Sequence, residues 1–158
     1  MGSKNRKPKK MRMSRNADKH VLYQKAVQEP VADVHFLRRA YKQTFDRKPT
    51  ILREDFCGTA AVCAEWVRKT KDSVAYGVDL DQPTLDWGKT HNVGQLTEEQ
   101  QNRVHLINGD VRTAETPKAD VIAAENFSYC IFKSRDALRE YYRGVYENLA
   151  EDGILVCD

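Results

Sequence analysis

The stretch that decides the fold is ILREDFCGTA, residues 51–60. Ile51 and Leu52 open a short apolar strand, the chain turns through Gly58, and a helix with Val62 and Trp66 on one face follows at once. In such a strand–turn–helix unit the glycine lets the backbone come close to a ligand, and the N–H groups of the helix point at that ligand. The stretch therefore predicts an α/β sheet with a binding site at this turn.

Four further apolar segments are predicted strands, at residues 74–79, 104–107, 121–124 and 154–157, and helical periodicity separates them. Two helices precede the first strand; one stops at Pro30 and the other ends near Phe45. A helix that starts at Ser134 and includes Leu149 leads to a turn at Asp152 and Gly153. The alternation predicts a doubly wound, mostly parallel sheet with helices on both faces, which ends at the fifth strand.

The chain has 158 residues, enough for one domain, and no apolar run long enough to span a bilayer. The first 19 residues carry eight Lys or Arg and one Asp, against 18 basic and 22 acidic residues in the remainder. We predict a disordered basic tail over 1–15, able to bind nucleic acid, and one domain over 16–158 with its core at 48–158. We expect a cytoplasmic protein, with no metal site and no membrane partner.

A glycine and two aspartates at the ends of three successive strands form a joint pattern. Gly58 follows the first strand, Asp79 ends the second, and Asp110 follows the third. Ligands of open parallel sheets bind beyond the carboxyl ends of the strands, where Asp79 can bind ribose hydroxyls and Asp110 an adenine amino group. Each residue also has a structural alternative, because Gly58 can serve a tight turn, Asp79 can cap a helix and Asp110 can be a turn carboxylate.

These segments resemble the class I methyltransferases, which use S-adenosylmethionine (SAM). The likeness covers about residues 48–158 and rests on the segments 52–60, 77–79, 109–111 and 120–126. More narrowly, the phrases REDFCGTA, GVDLD and ENFSY, with an N-terminal helix like DKHVLYQKAVQ, resemble bacterial methyltransferase-domain proteins of undefined substrate. The resemblance predicts a Rossmann-like methyltransferase core.

The resemblance also implies a set of site residues. Glu54 would bind the methionine amino group, Asp79 the ribose and Asp110 the adenine. The full set of implied SAM-binding residues is Glu54, Phe56, Gly58, Asp79, Leu80, Asp110, Val111 and Asn126. The methyl acceptor would approach the end of the fourth strand, where Asn126 and Tyr129 are the candidate catalytic residues. The acceptor is unidentified, and the pattern picks out no general base.

Three departures from the family pattern leave alternatives open. Phe56 and Ala60 stand where relatives have glycines, which disfavours a NAD-dependent oxidoreductase, since a pyrophosphate needs several glycines for close approach. Phe127 and Ser128 replace two prolines of amine-methylating relatives. The fifth strand would be an apolar sheet edge, so we expect a truncated protein, a homodimer through that edge, or both. A non-catalytic binding module with a nucleic-acid-binding tail is the main alternative function.

Overall fold

The computed structural model describes residues 17–158 and contains one sheet flanked by helices. The strands are β1 (Ile51–Asp55), β2 (Val74–Asp79), β3 (Val104–Asn108), β4 (Ala119–Ala124) and β5 (Leu149–Cys157). The α-helices are α1 (Lys19–Val27), α2 (Pro30–Phe45), α3 (Ala61–Lys69), α4 (Gln82–His91), α5 (Glu98–Gln101) and α6 (Arg135–Asn148). Single 3-10 turns lie at Val93–Gln95 and Ser128–Ile131.

The five strands are all parallel and lie in the order β3-β2-β1-β4-β5. The chain runs outward from β1 to β3, then returns to place β4 beside β1. The direction of winding therefore reverses between β1 and β4, which opens a crevice at their carboxyl ends. The predicted doubly wound parallel sheet with two N-terminal helices is confirmed.

Side chains alternate between two hydrophobic cores, as the period of a β-strand requires. Leu52 packs in a cluster with residues of α2, α3 and α4, whereas its neighbour Ile51 packs on the opposite face, where α6 lies. In β4, Val121 and Ala123 belong to the first cluster, and Ile122 belongs to the second. Helices therefore cover both faces and leave the carboxyl edge of the sheet for a site.

The last strand begins earlier than the sequence suggests. Leu149 opens β5 and does not end the helix, and the predicted turn at Asp152 and Gly153 lies inside the strand. The reason is a register irregularity: Ala119 pairs with Leu149, yet Val121, only two residues later, pairs with Ile154. The extra residues of β5 bulge out between these pairs, and such bulges carry turn-like sequences.

No helix within residues 17–158 is long and apolar enough to cross a membrane. The predicted basic tail, residues 1–15, lies outside the described residues.

Candidate functional site

A cavity of about 530 Å³ lies at the crevice between β1 and β4. We call it the crevice cavity. Its walls include Glu54 from β1, Asp79 from β2, Glu125 and Asn126 after β4, and Tyr23 of α1. Its volume falls within the roughly 300–1,000 Å³ of small-molecule sites, and the end of a sheet where strand order reverses is where such sites form.

A second cavity, of about 560 Å³, adjoins the first. Phe56, Asp79 and Ile131 line both cavities. Among the residues that the sequence picked out, Glu54, Gly58 and Asn126 line only the crevice cavity, whereas Leu80, Asp110 and Val111 line only the adjoining one. The structure thus brings together all eight residues of the implied cofactor set.

Tyr129 is the exception among the candidate residues. It is half-buried, lines neither of these two cavities, and packs against the core cluster on the α6 side of the sheet. The neighbouring Asn126 lies in the crevice cavity with a left-handed backbone, φ 59°.

The turn after β1 keeps a glycine-like backbone although it holds a single glycine. Phe56, Gly58 and Ala60 have φ values of 59°, 51° and 54°, in the left-handed region that side chains disfavour. The ring of Phe56 is held by Phe132 and Tyr141, each with a centroid distance of 5.9 Å. Such strained residues persist only where surrounding contacts hold them, and they are frequent at functional sites.

Hydrogen bonds within the protein already occupy three N–H groups of this turn. The Gly58 N–H donates to Asp79 Oδ2 at 2.8 Å, and the Cys57 N–H donates to the Val78 carbonyl at 3.0 Å. The Ala60 N–H donates to the Cys57 carbonyl at 2.8 Å. A pyrophosphate needs free N–H donors at this place, so the turn is poorly suited to a dinucleotide.

Glu54 is buried beneath the turn, with 5% of its surface exposed. Its Oε2 accepts from the backbone N–H of Cys63 in α3 at 3.0 Å. Burial raises the pKa of Glu54 to about 8, because a charged carboxylate loses its hydration there. A cation bound in the cavity would therefore favour the ionised form of Glu54.

Asp110 is already paired within its own loop. The guanidinium of Arg112 donates to Asp110 Oδ2 at 2.6 Å, and the Arg112 backbone N–H donates to Oδ1 at 2.9 Å. The hydrogen bond from Arg112 holds the pKa of Asp110 below its usual value. An adenine amino group would therefore have to share this carboxylate with Arg112.

Helix α1 covers the crevice cavity through polar contacts. Gln24 Nε2 donates to Thr59 Oγ1, and Trp87 Nε1 of α4 donates to Asp18 Oδ2, both at 2.8 Å. None of the residues of α1 is buried. Gly88 lets α4 approach the same turn, because an added Cβ would lie 2.3 Å from the Thr59 carbonyl oxygen. Sequence periodicity indicated these helices but not their contact with the turn.

A buried ion pair beneath the site was also missed. Arg53 Nε donates to Asp55 Oδ1 at 2.7 Å, both side chains are fully buried, and Tyr141 donates its hydroxyl to Asp55 Oδ2 at 3.0 Å. Arg53 also donates to the backbone carbonyls of Val111 and Ala114. This network ties β1 to the loop that forms the wall of the adjoining cavity. The alternation of strand side chains could not reveal it, since Arg53 occupies a position where an apolar residue is expected.

Glu125 is the other missed residue. It follows β4 directly and lines the crevice cavity. The signal was present, because Glu125 stands after β4 much as Asp79 stands at the end of β2. Burial, followed by the charges of Asp33 and Asp158, raises the pKa of Glu125 to about 7.

A larger groove than either of these cavities lies elsewhere. It measures about 1150 Å³ and runs along the outer face of α2, past Arg39, Lys42 and Lys48. No residue from the carboxyl end of a described strand lines it. The crevice cavity and its neighbour are the better candidates, because polar groups from several strand ends converge there.

No protein-family model and no curated protein matches the chain significantly. Solved structures do match. The sugar N-methyltransferase KedS8 of a Streptoalloteichus species aligns with a TM-score of 0.72 and 18% identity, over 100% of this chain and 58% of that one. The amino pentose methyltransferase CalS10 of Micromonospora echinaspora, solved with SAM bound, aligns with a TM-score of 0.70 and 16% identity, over 87% and 54%. DesVI of Streptomyces venezuelae aligns with a TM-score of 0.71 and 16% identity, over 87% and 54%.

These likenesses show the fold. The chain has the Rossmann-like fold of class I SAM-dependent methyltransferases, as its strand-end motifs predicted. It spans between 54% and 58% of the length of these three solved chains.

Proposed function

We propose that this chain binds SAM across the two adjoining cavities and is a methyltransferase or the cofactor-binding portion of one. One observation carries the proposal. Residues chosen from four sequence segments line two cavities that meet at Phe56 and Asp79. The shared fold supports the same conclusion, because the matching structures include methyltransferases solved with SAM or its product bound.

The charge of the crevice cavity suits this cofactor. SAM carries a sulfonium and an ammonium group and no phosphate. Among residues 17–158, acidic side chains outnumber basic ones in the lining: Glu54, Asp55, Asp79, Asp81 and Glu125 against Lys19 and His20. Arg53 already neutralises Asp55, and a cation in the cavity would favour the ionised forms of Glu54 and Glu125, whose pKa values are raised to about 8 and about 7. Opposite charges within a partly buried cleft attract each other more strongly than in bulk water.

We assign four of the predicted cofactor residues to parts of SAM. Asp79 is held by the N–H groups of Gly58 and Asp81, at 2.8 and 2.9 Å, and keeps acceptor capacity for ribose hydroxyls. Leu80 and Val111 flank the adjoining cavity, which suits the adenine ring. Glu54 lines only the crevice cavity, and we place the methionine amino group of SAM beside it.

When bound, SAM supplies an already activated methyl group, so the protein contributes alignment. The strained turn and the polar contacts of α1 hold the cavity walls around the cofactor. Asn126 lies beside the end of β4 and would orient the acceptor there. The acceptors named for KedS8 and CalS10, a sugar nitrogen and an amino pentose, favour a nitrogen acceptor here.

Separate calorimetric titrations with SAM and with NAD test the proposal. We expect heat and a thermal shift from SAM, and none from NAD, because the turn has no free N–H groups at residues 57, 58 and 60 for a pyrophosphate. No response to SAM at millimolar concentration would refute the proposal for this chain. A response to NAD alone would favour the oxidoreductase.

Two further predictions concern partners. β5 is an edge strand of the described sheet, so a homodimer through it remains our prediction, and a sedimentation mass of a monomer would refute it. Binding of nucleic acid by the basic tail also remains a prediction. It should disappear when residues 1–15 are deleted.

A further inference from the structure

Glu125 differs from every other carboxylate of the crevice cavity. Asp55 is paired with Arg53, and Glu54 accepts from the Cys63 N–H. The carboxylates of Asp79 and Asp81 also accept hydrogen bonds. The carboxylate of Glu125, by contrast, accepts no hydrogen bond from any of residues 17–158, although the residue is half-buried. The Glu125 oxygens are open to the cavity, so they are available to accept a hydrogen bond from a ligand bound there.

The surroundings of Glu125 are acidic. Asp33 of α2 and Asp158 after β5 both raise its pKa, in addition to burial, and Glu54 of β1 interacts with it by charge. Of residues 17–158, Lys19 of α1 is the one lysine or arginine in the lining of the cavity, and His20 lies next to Lys19 in α1. Glu125 is therefore placed to exchange a proton near neutral pH, which is what a general base requires.

We propose that the methyl acceptor is a protonated amine and that Glu125 is the general base that removes its proton. The proposal rests on the proposed function and names the substrate class of the same site. It also supplies the base that the sequence did not identify, one residue before Asn126.

The chemistry balances without another reactant. The acceptor ammonium gives one proton to the ionised Glu125, which frees the nitrogen lone pair. That pair forms the new nitrogen–carbon bond at the methyl group as the carbon–sulfur bond breaks, and the electrons of the broken bond stay on the sulfur. The product is a methylated ammonium and a neutral thioether, and Glu125 releases its proton to water.

An alternative role for Glu125 is to bind the amino group of the cofactor itself. Two stable analogues separate the roles without any knowledge of the acceptor. S-adenosylhomocysteine retains the cofactor's amino group and lacks the methyl. In sinefungin a carbon replaces the sulfur and carries a second amine in the position of the transferred methyl, so this amine faces the acceptor side.

The experiment compares both analogues by calorimetry with the wild-type chain and with Glu125→Gln. We expect wild type to prefer sinefungin and the variant to lose about tenfold or more of that preference, the usual effect of losing a hydrogen bond to a charged group. Affinity for S-adenosylhomocysteine should change less than about threefold, well below that tenfold effect. Glu125→Asp should recover part of the preference, and Glu115→Gln, an exposed carboxylate outside the cavity, should behave as wild type. Circular dichroism confirms that each variant folds.

Three results would overturn the proposal, and they differ from one another. An equal loss of both affinities in Glu125→Gln would assign Glu125 to the cofactor's amino group. Unchanged affinities would mean that Glu125 does not face the transferred methyl. If wild type binds neither analogue, the proposed function itself fails.

Discussion

Replacing Glu54 by glutamine should make the protein more stable at pH 8 and remove more than half of the fall in its stability between pH 5 and pH 8. The folded-state pKa of Glu54 is about 8, against an ordinary value of 4.5. Between these pH values the folded protein keeps a proton that the unfolded chain has released. This contribution to stability is fully present below pH 4.5 and is lost as the pH rises through 8.

The size of this effect follows from the number of pH units between the pKa values of Glu54 in the folded and the unfolded protein. Each pH unit in which one state holds the proton and the other does not changes the free energy of unfolding by about 1.4 kcal/mol. Over the three units from pH 5 to pH 8, with partial ionisation at each end, Glu54 should therefore lower the free energy of unfolding by about 3.5 kcal/mol, a large part of the roughly 5–15 kcal/mol typical of a domain. The glutamine side chain of the variant keeps an oxygen for the Cys63 N–H and has no proton to lose.

Urea denaturation followed by circular dichroism at pH 5, 6, 7 and 8 measures the effect. We expect the free energy of unfolding of wild type to fall with pH, and that of Glu54→Gln to fall much less. The remaining slope belongs mainly to Glu125, whose pKa is raised to about 7. Glu99→Gln, an exposed carboxylate on α5, should parallel wild type. Parallel curves for wild type and Glu54→Gln would mean that Glu54 does not hold a proton in the folded protein at these pH values.

Three other substitutions probe the site and its support. Asp79→Ala should weaken SAM binding by about 1–3 kcal/mol in calorimetry, and an unchanged affinity would remove Asp79 from the site. Arg53→Met leaves Asp55 buried without its partner and should cost about 3–5 kcal/mol in urea denaturation; a cost below about 1 kcal/mol would contradict a structural role for the ion pair. Gly88→Ala should lower both the melting temperature and the SAM affinity, because the new methyl collides with the Thr59 carbonyl oxygen; wild-type values for both would contradict the close approach.

The positions of the site residues were predictable for a simple geometric reason. The carboxyl ends of parallel strands meet at one edge, so Gly58, Asp79 and Asp110 could be placed near one another from their order along the chain. The fold followed from the same alternation of strands and helices. The start of β5 could not be predicted, because Asp152 and Gly153, which lie in the irregular part of β5, also suit a turn.

Features that depend on contacts between distant segments could not be predicted. Nothing in the sequence shows that Phe56 and Ala60 adopt the backbone of the glycines they replace, since neighbouring rings and helices hold them there. Glu125 is visible as an acidic residue after a strand, but its lack of a partner emerges only when every carboxylate in the cavity is compared. The pairing of Asp110 with Arg112 was also not predictable, because two residues close in sequence need a particular turn to meet.

The most direct test of the account is a crystal structure of the chain with S-adenosylhomocysteine. We expect the ribose hydroxyls within hydrogen-bond distance of Asp79, the adenine in the cavity beside Leu80 and Val111, and the amino-acid end of the ligand towards Glu54. A ligand bound instead in the basic groove along α2, or no bound ligand at millimolar concentration, would contradict it.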